Sequence, residues 1–518
     1  MRLAWISLAA LPACGEPPLA NHGTSETGST MAGTATTDAA TTDLESTATS
    51  TGDPACAGPL SACPGSALWL RDYRVKGSAG AVAASALAIA ANGDIVAAGN
   101  YYGTFEFAGE SYPSISQVDL WLARFAADGA PLWFRHFDGE LKYGTQGRVA
   151  DSLGNLAFAT NGDIVLTTTA FGDVDLGDGP LVGDDGDPVL VRLSAAGQVQ
   201  WARRVVGTGR SEYEYFPRLV APAADDRVWL VATLYNTSID LGGGPLNSAG
   251  WGDLLLAQLD EHGEHVWSRR LGDAGHQVPR AVAAVADGGL LITGALEGTL
   301  QLGDVTLASA GMSDVFVLRL DADGAAVWGR RYGDKYDQGG SAVTVDAAGI
   351  TLAGSFASTI DLGGGPLTAL ERQNPPHPRD GWYRSVFMAR LDLDGTHRWS
   401  AALHADESEA ELTALARTED GTLAFAGTSS RRLSFGGQIA GHSKGKWFGS
   451  LAADGAPRWL QSVADSPWPG QGADSPLLAV DREGALVTVF GLFDTLELGA
   501  ETVGTAERAT LVLGKYVP

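Results

Sequence analysis

The sequence predicts an all-β fold: a single seven-bladed β-propeller of four-stranded antiparallel blades, closed by an N-terminal fourth strand pairing with the three C-terminal strands. Three observations predict it. A glycine stands four residues before a tryptophan at Gly65/Trp69, Gly129/Trp133, Gly197/Trp201, Gly263/Trp267, Gly324/Trp328, Gly395/Trp399 and Gly455/Trp459, with successive spacings of 64, 68, 66, 61, 71 and 60 residues. So regular a period marks a repeat array, and seven of the fourteen tryptophans hold one repeated position in it. Within each period, short apolar-alternating runs are bounded by Asn/Asp and Gly turns, the pattern of half-buried antiparallel strands. Finally, side-chain size is graded along each period. First strands such as Ala281 to Val285 are Ala- and Val-rich, as crowding about an axis requires, whereas the indoles fall on fourth strands at the wide periphery.

The chain opens with Arg2, the apolar run Leu3 to Ala10, and Leu11-Pro12-Ala13 before Cys14. One positive charge and a short apolar core read as an export signal over 1–13, too short to span a membrane as a stable helix. Its ending resembles a bacterial lipobox. That resemblance implies cleavage before Cys14 and lipidation of its sulfur, the alternative being a cleaved secretory signal without lipid. No later stretch approaches 18 apolar residues, so membrane attachment is expected through the lipid alone, in the cell envelope outside the cytoplasm. Residues 14–55 form the next segment; from 20 to 54 they are Thr, Ser, Gly, Ala and acidic residues, a composition that buries too little to offset ordering entropy. It is expected to be a disordered tether. Cys56 and Cys63 in an exported chain suggest a disulfide closing a short loop at the mouth of the first strand of the propeller, which spans 56–518; two free thiols are the alternative.

The fifth unit shows the repeat best. Ala342 to Val345 is a small-residue strand, Asp346 to Gly349 a turn, and Ile350 to Phe356 a second strand. Thr359 to Gly363 follows, then Val386 to Leu391, the turn Asp392 to Gly395, and a fourth strand with Trp399. The other units agree, with turns such as Asn92-Gly93, Asn161-Gly162 and Asp420-Gly421; only the third, at Asp225-Asp226, lacks the glycine. The chain enters on a fourth strand, Ala67 to Arg74, and leaves on a third, Thr510 to Tyr516, so pairing those ends would complete the seventh blade.

Stretches such as Tyr332-Gly333-Asp334 through Asp337, Val343 to Asp346, Ala353 to Phe356, and Val317 to Leu320 before Gly324 and Trp328 resemble the bacterial SBBP-type β-propeller repeat over about residues 65 to 518. The resemblance implies the fold and no particular chemistry. The Gly-to-Trp spacing is also similar to the tryptophan-docking motif of quinoprotein propellers. It departs from that motif in the place of the turn acid, for example Asp321, and in having seven copies where those proteins have eight, and no cofactor is expected.

A formal charge of −26, from 61 acidic against 35 basic residues, argues against nucleic-acid binding. In an up-and-down blade the fourth-to-first and second-to-third connections share a face, and these are the long ones here. Candidate ligand-binding residues on them are Tyr213, Tyr215, Tyr336, Trp382, Tyr383 and Trp468, because rings stack and neighbouring carboxylates accept hydrogen bonds. Surface loops with tucked rings are the plainer reading. The Asp321-to-Gly324 and Asp392-to-Gly395 segments begin like calcium loops but lack the glutamate at the twelfth loop position, and read as hairpin turns. His262 and His265 have metal-ligand spacing without the helix that would align them, so no metal site is expected. Asp119, Asp187, Asp253 and Asp314 begin third strands, and Arg124, Arg192, Arg319, Arg390 and Lys515 lie near third-strand ends; positions filled blade after blade suit structural bonds. No catalytic residue is expected. The leading reading is a monomeric, non-enzymatic module for an unknown protein or carbohydrate ligand. The alternatives are a glycan-active enzyme using acids such as Glu212 and Glu214, a quinoprotein-like enzyme, or a spacer without a specific ligand.

Overall fold

In the computed structural model, antiparallel pairing follows the repeat. In the fourth period Gln277–Ala284 pairs with Leu290–Leu296, which pairs with Asp314–Leu320, which pairs with Ala326–Tyr332. The structure describes residues 66–114, 119–137, 153–170, 174–182, 187–205, 207–208, 219–235, 237–372, 382–405, 408–435, 438–439, 445–464, 476–492, 496–498, 501–503 and 509–517. All belong to one unit, Thr49–Pro518. The signal segment and tether, with Cys14, Cys56 and Cys63, lie outside the described residues.

Among the described residues the pairings give seven four-stranded ladders, and the chain has a β-propeller fold. Their first strands are Ala67–Ile89, Leu153–Phe158, Leu219–Pro222, Gln277–Ala284, Gln338–Asp346, Ala410–Arg417 and Leu477–Val480. Each packs against the next in this order, and Leu477–Val480 packs against Ala67–Ile89. The sequence separates Ala67–Arg74 from the first strand of the first blade, but the backbone runs on as one strand of 23 residues. Its first half pairs with Thr510–Tyr516, with Trp69 opposite Lys515, and its second half pairs with Ile95–Phe107.

Burial peaks in the two middle strands of a ladder, and the innermost strand Gln277–Ala284 is only partly buried. Leu290–Leu296 and Asp314–Leu320 are buried at every position, while Ala326–Tyr332 is half-exposed. The core lies between ladders: Trp229, Leu254 and Leu256 of the third ladder pack with Ile292, Phe316 and Leu318 of the fourth. The segment after the second strand forms a β-ribbon: Thr359–Asp361 with Pro366–Thr368 is a separate two-stranded pair, and Ser238–Asp240 with Pro245–Asn247 gains a third strand from Gly207–Thr208. Asp240 shapes its ribbon turn by accepting the Gly242 and Gly244 amides at 2.8 and 3.0 Å. Where the third ladder lacks a turn glycine, Asp225 and Asp226 take φ of 56° and 55°, a conformation that Asp tolerates better than most residues.

The repeated tryptophan joins one ladder to the next. A Cβ placed on Gly129, Gly197, Gly263, Gly324, Gly395 or Gly455 would meet the ring of Trp69, Trp133, Trp201, Trp267, Trp328 or Trp399 respectively, always the indole of the preceding unit. Trp133, Trp201, Trp328 and Trp399 also donate Nε1–H to the carbonyl two residues before that glycine, at 2.9 to 3.2 Å. In the third ladder Gln258 mediates: Trp267 donates to its Oε1 at 3.2 Å and its Nε2 donates to the Ala322 carbonyl at 2.8 Å. The buried Trp459 Nε1 has no acceptor among the described residues, and the corresponding glycine, Gly65, lies outside them.

Gly263 therefore has two constraints, a φ of +75° and an indole where a Cβ would stand. Gly263→Val is expected to cost about 3 kcal/mol, from about 1–2 of left-handed strain and about 1–3 of overpacking. Gly303→Ala, at φ +58° with open space around it, should cost the strain alone. The urea midpoints of the two variants check this, and equal losses would contradict the docking role.

Candidate functional site

The second-to-third and fourth-to-first connections run side by side, as the parallel bridges Gly252 to His276 and Ser313 to Asp337 show. Local hydrogen bonds hold them. Asp273 accepts the Gly275 amide at 2.9 Å, the Gln277 side chain at 3.0 Å and the Thr299 amide at 2.8 Å. Burial acts to raise its pKa, but these hydrogen bonds hold it below the usual carboxylate value. Asp334, Gln338 and Thr359 repeat the arrangement one ladder on.

Residues from four ladders converge on Arg280. It lies in the inner strand Gln277–Ala284 at a β-bulge between Pro279 and Ala281, a device that re-aims a side chain. Arg384, Glu411, Tyr235 and Asp337 are close enough to act electrostatically on its guanidinium. Arg280 is exposed to water, yet the surrounding protein lowers its pKa by desolvation, with Arg384 adding to the effect and Glu411 opposing it. The side chain is thus crowded by neighbouring protein while still open to solvent. Tyr235, whose pKa burial raises, lies 6.4 Å from the His276 ring, and His276 stacks on Trp251 at 6.2 Å. Trp251 is 57% exposed, so this aromatic row runs from a solvent-facing ring to Tyr235, which lies near the Arg280 guanidinium.

The candidates read from sequence fall differently. Tyr213, Tyr215 and Trp468 lie outside the described residues, as do Glu212 and Glu214. Tyr336 is half-buried under the Lys335 ammonium, 5.1 Å from its ring. Trp382 packs against the core of the fourth and fifth ladders. Tyr383 carries the Arg372 guanidinium 4.7 Å above its ring, and Arg372 pairs with Glu409. Arg384 lies 4.0 Å from Asp337, which brings this corner toward Arg280. The sequence reading missed Trp251, Tyr235, His276, Arg280 and Glu411. Trp251 is a tryptophan outside the repeated position, and Arg280 is a long cation beside the small residues of a first strand; both departures were visible.

Other signals resolve into structure. Arg124, Arg192, Arg319, Arg390 and Lys515 pair with Asp94, Asp163, Asp287, Asp346 and Asp481 in the first hairpin turn of their own ladders. Asp253 and Asp314 pair with Arg270 and Arg331. Asp321 caps its turn by accepting the Asp323 and Ala325 amides at 3.0 and 2.8 Å. His265 packs on the Gly242–Gly243 turn with Nε2 3.0 Å from Ser268 Oγ. No group of three or more metal-ligating side chains occurs among the described residues. Ser385 Oγ lies 2.9 Å from His404 Nδ1, but Ser385 is 1% exposed and its hydroxyl is not offered to a substrate.

No family model matches the chain. It is similar to the regulatory protein FlaEY of Caulobacter vibrioides, with 28% identity over 262 residues, 47% of this chain and 26% of that protein. The chain thus spans about a quarter of that relative's length. Among solved structures it is similar to virginiamycin B lyase from Staphylococcus aureus, at 8% identity and TM-score 0.38, covering 86% of this chain and 98% of that one. It is also similar to the WD40 domain of Toxoplasma gondii coronin, at 10% identity and TM-score 0.37, covering 88% and 89%.

Burial lowers the pKa of His404, so folding favours its neutral imidazole. Its contribution to stability is present above the unfolded histidine pKa of about 6.5 and is lost as pH falls through the lower folded value. His404→Asn, which keeps a polar atom toward Ser385, should flatten the decline in thermal midpoint between about pH 7 and 5. Parallel slopes for wild type and variant would contradict the assignment.

Proposed function

We propose that the chain is a lipid-anchored, extracytoplasmic binding module: one closed seven-bladed β-propeller of the SBBP-type repeat, held by Cys14 and a tether, that presents a ligand site on its long-connection face. The round of inner-strand contacts and the pairing of Ala67–Arg74 with Thr510–Tyr516 support the closed ring. Supporting the anchor are the lipobox-like residues before Cys14 and the composition of residues 20–54. The observation that carries the functional reading is the convergence of Tyr235, Arg280, Asp337, Arg384 and Glu411 from four ladders beside the exposed Trp251. The repeat alone does not produce such an asymmetric cluster, and its mixture of rings, cations and carboxylates suits a hydroxylated ligand such as a carbohydrate.

The same convergence favours a second reading, a glycan-active enzyme, because acids, Arg and Tyr from several ladders are what such a site assembles. A glycan array probed with the full chain and with Trp251→Ala, followed by mass spectrometry of the bound glycans, tests both. The binding reading expects glycans retained intact and lost on Trp251→Ala, with the thermal midpoint of the variant little changed because Trp251 is exposed. Cleaved glycans would establish the enzyme reading. Glycan binding indifferent to Trp251 would overturn the site, and an array without any bound glycan would favour the spacer.

A further inference from the structure

Inner strands carry bulges at equivalent places, and their residues are short and polar elsewhere: Ser85, Ser341 and Thr413. Thr413 Oγ1 donates to the Pro476 carbonyl of the next ladder at 3.1 Å. Asn155, in the irregular register of the second inner strand, bonds Val220 through both its amide atoms. Thr413 and Asn155 thus staple one ladder to the next, whereas the buried Ser341 hydroxyl has no partner among the described residues. Arg280 occupies the same bulge position but makes no hydrogen bond or close ion pair with any described residue. Its Nη1 lies over Gly339 of the next inner strand, where an added Cβ would come within 2.8 Å.

A guanidinium set at a bulge, open to solvent and bonded to no described residue, keeps its paired donors available for the two oxygens of a carboxylate. We propose that Arg280 is the anchor for a carboxylate borne on a saccharide ring, a uronic-acid unit of a glycan. The inference rests on the binding reading above and names the ligand class of the same site. The surroundings select a monoanion. Glu411 and Asp337 would repel a phosphate-dense polyanion, as would the net charge of −26, but both can accept hydrogen bonds from ring hydroxyls. The stacked Trp251 and His276 rings supply a face for the ring of a neighbouring sugar.

Titration calorimetry of the full chain with trigalacturonate and with the neutral galactose trisaccharide of the same linkage tests the proposal. Trigalacturonate should bind at least about tenfold more tightly, in keeping with a charge-assisted contact. Arg280→Gln should erase that difference and Arg280→Lys should restore part of it. Gly339→Ser, which keeps the charge but crowds Nη1, should weaken trigalacturonate binding at an unchanged thermal midpoint. Equal binding of both trisaccharides, abolished by Trp251→Ala, would overturn the carboxylate anchor while the binding module stands. A preference for trigalacturonate that survives Arg280→Gln would overturn it too, as would the absence of binding by either trisaccharide.

Discussion

The contact on which the rest depends is an indole laid on a glycine. Six of the seven repeated tryptophans are seen to leave the outer strand of their ladder and cover the turn glycine of the next unit, and in four ladders the indole donates its N–H to a carbonyl of that turn. Dispersion against a backbone without a Cβ and one directional hydrogen bond together fix both the spacing and the rotation of neighbouring sheets. Any side chain at the glycine removes the first, and a shift along the strand removes the second. The near-constant period of the sequence follows from this contact.

Buried polar pairs reinforce the same joints. Arg124 donates to the Ala195 carbonyl, the acceptor that Trp133 also uses, while pairing with Asp94 in its own ladder. Arg192 does likewise at the Glu261 carbonyl. Asp346 receives Arg390 from its own ladder and Arg417 from the next, and although burial acts to raise its pKa, those partners hold it down. Removing one member would leave a buried charge unpaired, the costly case for such pairs.

The fold was legible because seven copies state it redundantly. Alternation, turn glycines and the Ala-to-Trp gradient each survive the loss of any single copy. The site was not legible in the same way, since what marks it is departure from the repeat. Reading Arg280 as a site residue requires knowing that the strand bulges there, that position 339 is bare, and that Glu411, two ladders away, comes near. Repeat spacing encodes none of these. Tyr383 and Tyr336 were chosen for lying on long connections, and the structure places them under Arg372 and Lys335, where the ring face is occupied. The ribbon after the second strand shows in the sequence only as a segment such as Thr359 to Gly363, not as a hairpin, because strands of two to four residues are too short for periodicity to declare.

The proposed binding site, with charged groups from four ladders, needs a scaffold that holds those ladders at fixed separations, and the strand shared between the first and last ladders is the most demanding part of that scaffold. Hydrogen-exchange mass spectrometry of Thr510–Tyr516 measures it directly. With Ala67–Arg74 paired alongside, this segment is internal and should exchange as slowly as Asp314–Leu320, the internal strand at the same place in the fourth ladder. Exchange as fast as that of the outer strand Ala326–Tyr332 would mean an open edge, and would contradict the shared strand and the closed ring built on it.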